Sequence, residues 1–208
     1  MSMLFLRLLL CAVIGYLLGN IQTGLIIGRL SQNIDLRKHG SGSSGATNAL
    51  RVLGSQSALF TLLGDFAKGL LATLVGLIIT GWQGGMAGAL FVVLGHIWPA
   101  LFNFHGGKGV ATSIGALVIL LPWHTLLLLA VGIALIWATK MVSLGSVCGA
   151  LVFLISSVIT AIVRADWFML VFCVLMSGLV LYAHQANIDR LLRGTENKLS
   201  HAMFRKKK

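Results

Sequence analysis

The chain has 208 residues, 57% of them hydrophobic and only 10% charged, with a mean hydropathy of +0.94. That balance leaves too little polar surface to cover a water-soluble domain and marks an integral membrane protein. The formal net charge is +11, but the basic residues lie between and after apolar runs, which fits positive-inside topology and anionic headgroups and argues against nucleic acid as a partner.

The first apolar run carries Arg7 and resembles a signal peptide, but it continues to Ile27 without a small-residue cleavage site. It therefore reads as a retained span over about Leu8 to Ile27. Its Gly15-x-x-x-Gly19 and Gly24-x-x-x-Gly28 spacings put small residues on one helix face, suited to close contact with another helix. A polar segment from Arg29 to Arg51 follows and holds Gly40-Ser41-Gly42-Ser43-Ser44-Gly45-Ala46-Thr47-Asn48. Such small residues turn several N–H groups toward one point, although a solvated linker has the same composition. Thr47-Asn48 ahead of Leu50-Arg51-Val52-Leu53 reads as a helix start that delivers Arg51 one turn in.

From Gly54 to Thr80 the chain is apolar again, interrupted by Asp65 and Lys68 at i and i+3. A charged pair inside a span is costly unless buried in the bundle or wetted from one side, so it is either a structural ion pair or part of a site. Gly81-Trp82-Gln83-Gly84-Gly85 reads as a turn, and Met86 to Asn103 as the next span. That span delivers Phe104-His105-Gly106-Gly107-Lys108-Gly109, with a new apolar run beginning at Val110. Glycines admit an anion to backbone N–H groups, and a lysine beside a helix N-terminus adds charge to the helix dipole. A membrane hairpin anchored by its lysine gives the same pattern. The Ser or Thr that follows the lysine of a Walker A loop is missing.

Between Lys108 and Lys140 the chain is broken by Pro122-Trp123-His124, and between Lys140 and His184 by Arg164-Ala165-Asp166. Each half divides into two spans, several of them short, giving an all-α protein of about seven transmembrane helices. Seven spans put 29–51, 104–109, 139–143 and everything after His184 on one face. That face carries Arg29, Arg37, Lys38, Arg51, Lys108 and Lys140 and is expected to be cytoplasmic. His184 and Asn187, three apart, share a helix face as the chain leaves the last span, although a histidine there also serves as an interfacial anchor. Cys11, Cys148 and Cys173 have neither metal nor redox spacing and read as packing residues. Residues 1–198 form one polytopic domain, and 199–208, ending in Arg205-Lys206-Lys207-Lys208, a basic tail expected at the lipid surface.

These loops together resemble the PlsY family, bacterial membrane glycerol-3-phosphate acyltransferases that use acyl phosphate. The elements carrying the resemblance are Gly40-Ser41-Gly42 with Gly45-Ala46-Thr47-Asn48 and Arg51; Gly64-Asp65 with Lys68-Gly69; Gly95-His96 with Gly106-Gly107-Lys108-Gly109-Val110-Ala111-Thr112; and His184 with Asn187-Ile188, Gly194 and Glu196. One departure stands out: the family usually has Asn after Gly-Ser-Gly, where this chain has Ser43 followed by Ser44.

The resemblance implies that Ser41, Arg51, Lys108, His184 and Asn187 act in catalysis. It implies that Gly42, Gly45, Thr47, Asn48, Gly106, Gly107, Gly109 and Ser143 bind substrate phosphate, and that Asp65, Lys68, His96 and Glu196 play structural or secondary parts. It implies transfer of a fatty acyl group from acyl phosphate to the sn-1 hydroxyl of glycerol 3-phosphate at a bacterial inner membrane, without cofactor or metal. Membrane lipids are partners, and an acyl-phosphate-producing enzyme is a further candidate. The alternative from another class is a small transporter of an anionic solute, since glycine-broken helices with a few buried charges describe carriers too. A carrier needs charges near the midplane that are reachable from both sides, and Asp65 and Lys68 are the pair that fits.

Overall fold

The computed structural model describes residues 2–199, so the basic tail from Ser200 onward lies outside the described residues. Within them the chain is helical and contains no strand. The helices are α1 (Ser2–Gly19), α2 (Thr23–Gln32), α3 (Ala46–Leu53), α4 (Ser55–Ile97), α5 (Val110–Leu120), α6 (Pro122–Thr139), α7 (Val142–Val163), α8 (Trp167–Ala183) and α9 (Gln185–Leu192).

Helix α4 is 43 residues long, which would be roughly 65 Å if straight. It is not straight. Thr80 (φ −152°, ψ 29°) and Gly81 (φ 68°, ψ −149°) leave helical geometry. Beyond them a Cβ on Gly76 would stand 2.1 Å from the Gly84 carbonyl oxygen, and one on Gly88 2.4 Å from that of Ala72. Residues 72 and 88 would be roughly 24 Å apart along one straight helix, so α4 folds back into two antiparallel arms, 55–79 and 82–97. The reversal needs Gly81, whose backbone region is closed to side-chain-bearing residues. The turn expected over Gly81 to Gly85 is thus sharper and earlier, because Gly84 and Gly85 already form the contact surface of the second arm.

Four stretches are long and apolar enough to cross a membrane, or five if the bent α8–α9 pair is taken as one, against the expectation of about seven. Folded-back α4 lies within one of those stretches. Helix α5, with 11 residues, is about 17 Å long and falls short of a ~30 Å hydrocarbon core.

Two expected boundaries move. Helix α1 ends at Gly19 rather than near Ile27, and side chains take up the carbonyls freed there: Gln22 Nε2 donates to Gly19 O (3.2 Å), and the Lys68 ammonium donates to Ile21 O (2.6 Å). A cation at a helix C-terminus also complements the helix dipole. The third span ends at Ile97 rather than Asn103, since Pro99 cannot continue a helix and instead opens a 3-10 turn over Ala100–Phe102.

Small residues set the packing. Cβ atoms on Gly15 and Gly19 would fall 2.6 Å from Gly88 O and 2.4 Å from Val92 O, so the first glycine pair seats α1 on the second arm of α4. Gly24 abuts the Ser44 carbonyl of the polar loop, and α2 also packs on the first arm of α4, where a Cβ on Gly64 would stand 2.4 Å from Thr23 Cγ2. Gly69 meets Thr112 and Gly115 meets Phe66, which sets α5 antiparallel to the first arm of α4; Gly132 meets Gly145, which pairs α6 with α7. This alternation gathers α3, the N-termini of α5 and α7 and the junction of α8 with α9 at one end of the bundle. Cys11 and Cys173 are buried free thiols, as packing residues should be, while Trp123, Trp137 and Trp167 are exposed near helix ends, as an interfacial belt requires.

Candidate active site

At that end lies a cavity of about 200 Å³, lined by the loops that lead into α3 and α5, the start of α7 and the segment that follows α8. Three helices start on its wall: Ala46 and Thr47 of α3, Val110 and Ala111 of α5, and Val142 and Ser143 of α7 all line it. The first N–H groups of a helix have no intrahelical partner, and each helix N-terminus carries about half a positive charge. Three of them around one cavity make an anion site before any side chain is counted.

Two cations complete it. Arg51, in the last turn of α3, lines the cavity with its Nε buried and without a partner among the described residues. Burial depresses its pKa, while Glu196 partly offsets this and Arg190 adds to it. Lys108 stands just before α5. Burial lowers its pKa from 10.5 to about 8, with Glu196 opposing the shift and Arg190 and Arg51 reinforcing it. Its ammonium donates to Asn187 Oδ1, Asn187 Nδ2 donates to Glu196 Oε1 (3.1 Å), and Arg190 Nε donates to Glu196 Oε2 (3.0 Å). Glu196 thus ties the last segment to Asn187 and Arg190. His184 also lines the cavity; its Nδ1 pairs with Val180 O at 2.7 Å, which leaves Nε2 as the free acceptor.

The glycines divide. Gly45 and Gly109 line the cavity; Gly42, Gly106 and Gly107 do not. The Gly106 and Gly107 N–H groups are spent on Ile97 O (3.2 Å) and His96 O (3.1 Å), so they are not free for phosphate. A Cβ on Gly107 would stand 2.1 Å from His96 Nε2, so this glycine is required by close packing on the His96 ring rather than by anion approach. Asn48 lines the cavity but is committed to the loop: its Nδ2 donates to Leu36, His39 and Ser43 carbonyls, and its Oδ1 accepts from Ser41 N–H (2.8 Å). Ser43 accepts from Gly45 N–H with its Oγ (3.3 Å), tightening the turn before α3. Ser41 lines the cavity, and so does Ser143, whose Oγ is buried and without a partner among the described residues.

Behind this wall lies a buried brace. Lys68 Nζ contacts Asp65 Oδ1 (2.8 Å) and His96 Nδ1 (2.7 Å), and Asp65 and His96 reach the cavity while Lys68 does not. The sequence reading missed Gln22. It is fully buried, accepts from Ser44 Oγ (2.7 Å) and donates to His96 O (3.2 Å), thereby tying the first loop to the one that bears Lys108. The available signal was Asn20-Ile21-Gln22-Thr23, a polar cluster inside an apolar run, which is costly without partners. Asp35 and Arg37 were also missed. Their pair (2.8 Å) and the Arg37 bond to Phe102 O (2.8 Å) fasten the first loop to the segment after α4, and the Arg37 contact pulls the Asp35 carboxyl down to about 2.

A folded-back helical bundle with a cationic cavity at one end defines a membrane protein built to bind a phosphorylated compound. The model of the family described as glycerol-3-phosphate acyltransferase matches residues 9–194, and the chain belongs to that family. A glycerol-3-phosphate acyltransferase of Thermoanaerobacter sp. (strain X514) is 42% identical over 190 residues, covering 91% of this chain and 94% of the relative. One of Clostridioides difficile (strain 630) is 42% identical over 197 residues, 92% of this chain and 95% of the relative. Among solved structures, the glycerol 3-phosphate form of PlsY (YgiH), an integral membrane glycerol 3-phosphate acyltransferase, is 32% identical with a TM-score of 0.84, covering 94% of this chain and 96% of that one. Its lysophosphatidic acid form is 31% identical with a TM-score of 0.81, covering 95% and 97%.

Proposed function

We propose that this chain transfers a fatty acyl group from acyl phosphate to the sn-1 hydroxyl of glycerol 3-phosphate, giving lysophosphatidic acid and inorganic phosphate. The observation that carries the reading is the pair Arg51 and Lys108 facing one cavity with three helix N-termini, which suits two phosphate-bearing substrates meeting. Arg51 supplies a two-pronged fork and Lys108 a point charge. The names of the relatives, and the two ligand forms of PlsY, support the same reaction.

In the reaction the sn-1 oxygen attacks the acyl carbonyl carbon, the bond from that carbon to the phosphate oxygen breaks, and phosphate leaves carrying the electron pair. The departing phosphate takes the hydroxyl proton, and His184 Nε2 is a protein acceptor at the same cavity. An acyl phosphate is already activated, so the protein's task is positioning and charge stabilisation. A narrower apolar pocket shares Val110, Ile114 and Ser146 with the main cavity and continues between α5, α7 and α8, as an acyl chain entering from the bilayer requires.

The end of the bundle that bears the site also carries Arg29, Arg37, Lys38 and Lys140, which supports an inner-membrane protein with its site toward the cytoplasm. The carrier alternative loses its support: Asp65 and Lys68 are 2% and 5% exposed and locked to one another. The test is the purified protein with acyl phosphate and glycerol 3-phosphate. Equal release of phosphate and lysophosphatidic acid is expected, and no acyl transfer to glycerol 3-phosphate would remove the proposal.

A further inference from the structure

One carboxylate on the cavity wall has no part in this chemistry. Asp65 is 2% exposed, and only its Oδ1 is engaged, by Lys68 Nζ at 2.8 Å and Thr23 Oγ1 at 3.2 Å. Its Oδ2 has no hydrogen-bond partner among the described residues, and it is not among the sealed orphan atoms of the interior. It belongs to a residue lining the cavity, next to His96, whose Nδ1 is 3.6 Å from Oδ1. An ionised carboxylate only accepts hydrogen bonds, and leaving one of its oxygens unpaired in a confined site is costly until a donor arrives.

The same lining offers the cations Arg51 and Lys108 and three helix N-termini, so Asp65 Oδ2 is an acceptor in a cavity otherwise rich in donors. Glycerol 3-phosphate divides the same way. Its phosphate meets Arg51, Lys108 and the helix N-termini, and its sn-1 hydroxyl is consumed in the reaction. The sn-2 hydroxyl is left, a neutral donor that needs an acceptor.

We propose that Asp65 Oδ2 accepts the hydrogen bond of the sn-2 hydroxyl and so selects glycerol 3-phosphate over phosphates lacking that group. The proposal rests on the acyltransferase reading. Lys68 and Thr23 then act as positioning residues, fixing Oδ1 so that Oδ2 faces the substrate.

The experiment compares glycerol 3-phosphate with 3-hydroxypropyl phosphate, which lacks only the sn-2 hydroxyl. A site built to bond a hydroxyl discriminates strongly against an analogue without it, so the unaltered protein is expected to prefer glycerol 3-phosphate by roughly 100-fold or more in kcat/KM. Removing Asp65 alone strands the Lys68 charge, so the variant is D65A with K68M, set against K68M alone. The preference should fall in part in K68M, where Oδ1 keeps only the Thr23 hold, and collapse to within a few fold where Asp65 is missing. If both phosphates lose turnover together and their ratio stays at the K68M value, Asp65 is a scaffold and the proposal is overturned. Should turnover vanish in the double variant, the same ratio is read from equilibrium binding of the two phosphates, with the same two outcomes. Absence of acyl transfer by the unaltered protein would instead refute the underlying reaction.

Discussion

The ammonium of Lys108 donates to the side-chain carbonyl of Asn187, 79 residues further along the chain. The contact joins a loop between helices to the first turn of α9, and through Glu196 it extends to Arg190. Lys108 is thereby held at the cavity without an acidic side chain bonded to it directly, so its charge stays available to a ligand. Replacing Lys108 by Ala is expected to cut turnover about 10- to 150-fold, the equivalent of ~1.5–3 kcal/mol for a charge-assisted hydrogen bond. Membrane insertion and thermal midpoint should be little changed. Near-normal turnover in the purified variant would make the lysine a mere anchor.

The same residue sets a pH dependence. Burial holds the free-enzyme Lys108 pKa at about 8, against 10.5 unperturbed. Activity that needs the ammonium therefore falls as pH rises through about 8, while folding stability moves the opposite way. Between about 8 and 10.5 the unfolded chain binds the additional proton, so this group's contribution to stability rises with pH in that window. A kcat/KM profile should show an alkaline limb near pH 8, and Lys108→Arg, whose charge persists, should move the limb out of range. An unmoved limb in that variant assigns the titration to another group.

Much of this site was readable because its chemistry lies in short, dense loops. Glycines flanking a lysine, and a run of small residues before a helix that carries an arginine, are local signals, and the structure brings Ser41, Arg51, Lys108, His184, Asn187 and Ser143 to one cavity. What was not readable depends on pairing across the chain. The carbonyls freed at the end of α1 are taken up in part by Lys68, 47 residues beyond the Ile21 carbonyl it meets, and hydropathy alone carries the span onward to Ile27. Gly106 and Gly107 looked like phosphate donors because glycine permits both anion approach and tight packing, and only the His96 ring and carbonyl distinguish the two. Gln22 was hidden because a polar cluster in an apolar run shows its cost but not its partners, here Ser44 and the His96 carbonyl.

The fold-back of α4 makes its own prediction. A methyl on Gly76 would stand 2.1 Å from the Gly84 carbonyl oxygen, whereas one on Gly178 in α8 would meet nothing within 4 Å. Backbone cannot yield as a flexible side chain does, so Gly76→Ala should destabilise the protein by about 1–3 kcal/mol. Gly178→Ala should be neutral or stabilising by up to about 1 kcal/mol through lost chain entropy. Thermal midpoints of the two variants in one detergent check this, and equal shifts would contradict the antiparallel arms.

Sidedness follows from the shared cavity. His39 and Asn197 are exposed at the site end, and Ala165 is exposed at the turn between α7 and α8. Single cysteines at the three positions, in a background without Cys11, Cys148 and Cys173, should react with an impermeant thiol reagent from opposite sides. The first two are expected to label from the cytoplasm and the third from outside. Labelling of positions 39 and 197 from different sides is incompatible with loops that meet at one cavity.

The sharpest expectation concerns the acyl donor. Acyl-CoA carries a bulky nucleotide, and the cavity of about 200 Å³ is lined by short loops and helix starts with no nucleotide-binding motif among them. Acyl phosphate needs only an anion site for its head and an apolar path for its chain. The head meets Arg51, Lys108 and three helix N-termini; the chain follows the narrow pocket past Val110 and Ile114 toward Phe153. Its leaving group is phosphate, which departs without a general acid, consistent with His184 being the cavity's acceptor rather than a committed proton donor. A thioester, by contrast, would require the protein to activate the attacking hydroxyl, and although His184-Gln185-Ala186-Asn187-Ile188-Asp189 has the His-x-x-x-x-Asp spacing that soluble acyltransferases use for this, Asp189 is exposed and off the cavity, and His184 Nδ1 pairs with Val180 O instead. Turnover is therefore expected with acyl phosphate and at most a few per cent of it with acyl-CoA of the same chain, measured on one purified preparation at matched concentrations. Equal rates with both donors would show that the cavity admits a nucleotide and that the hydroxyl is activated by protein groups, leaving the phosphate-centred mechanism without its basis.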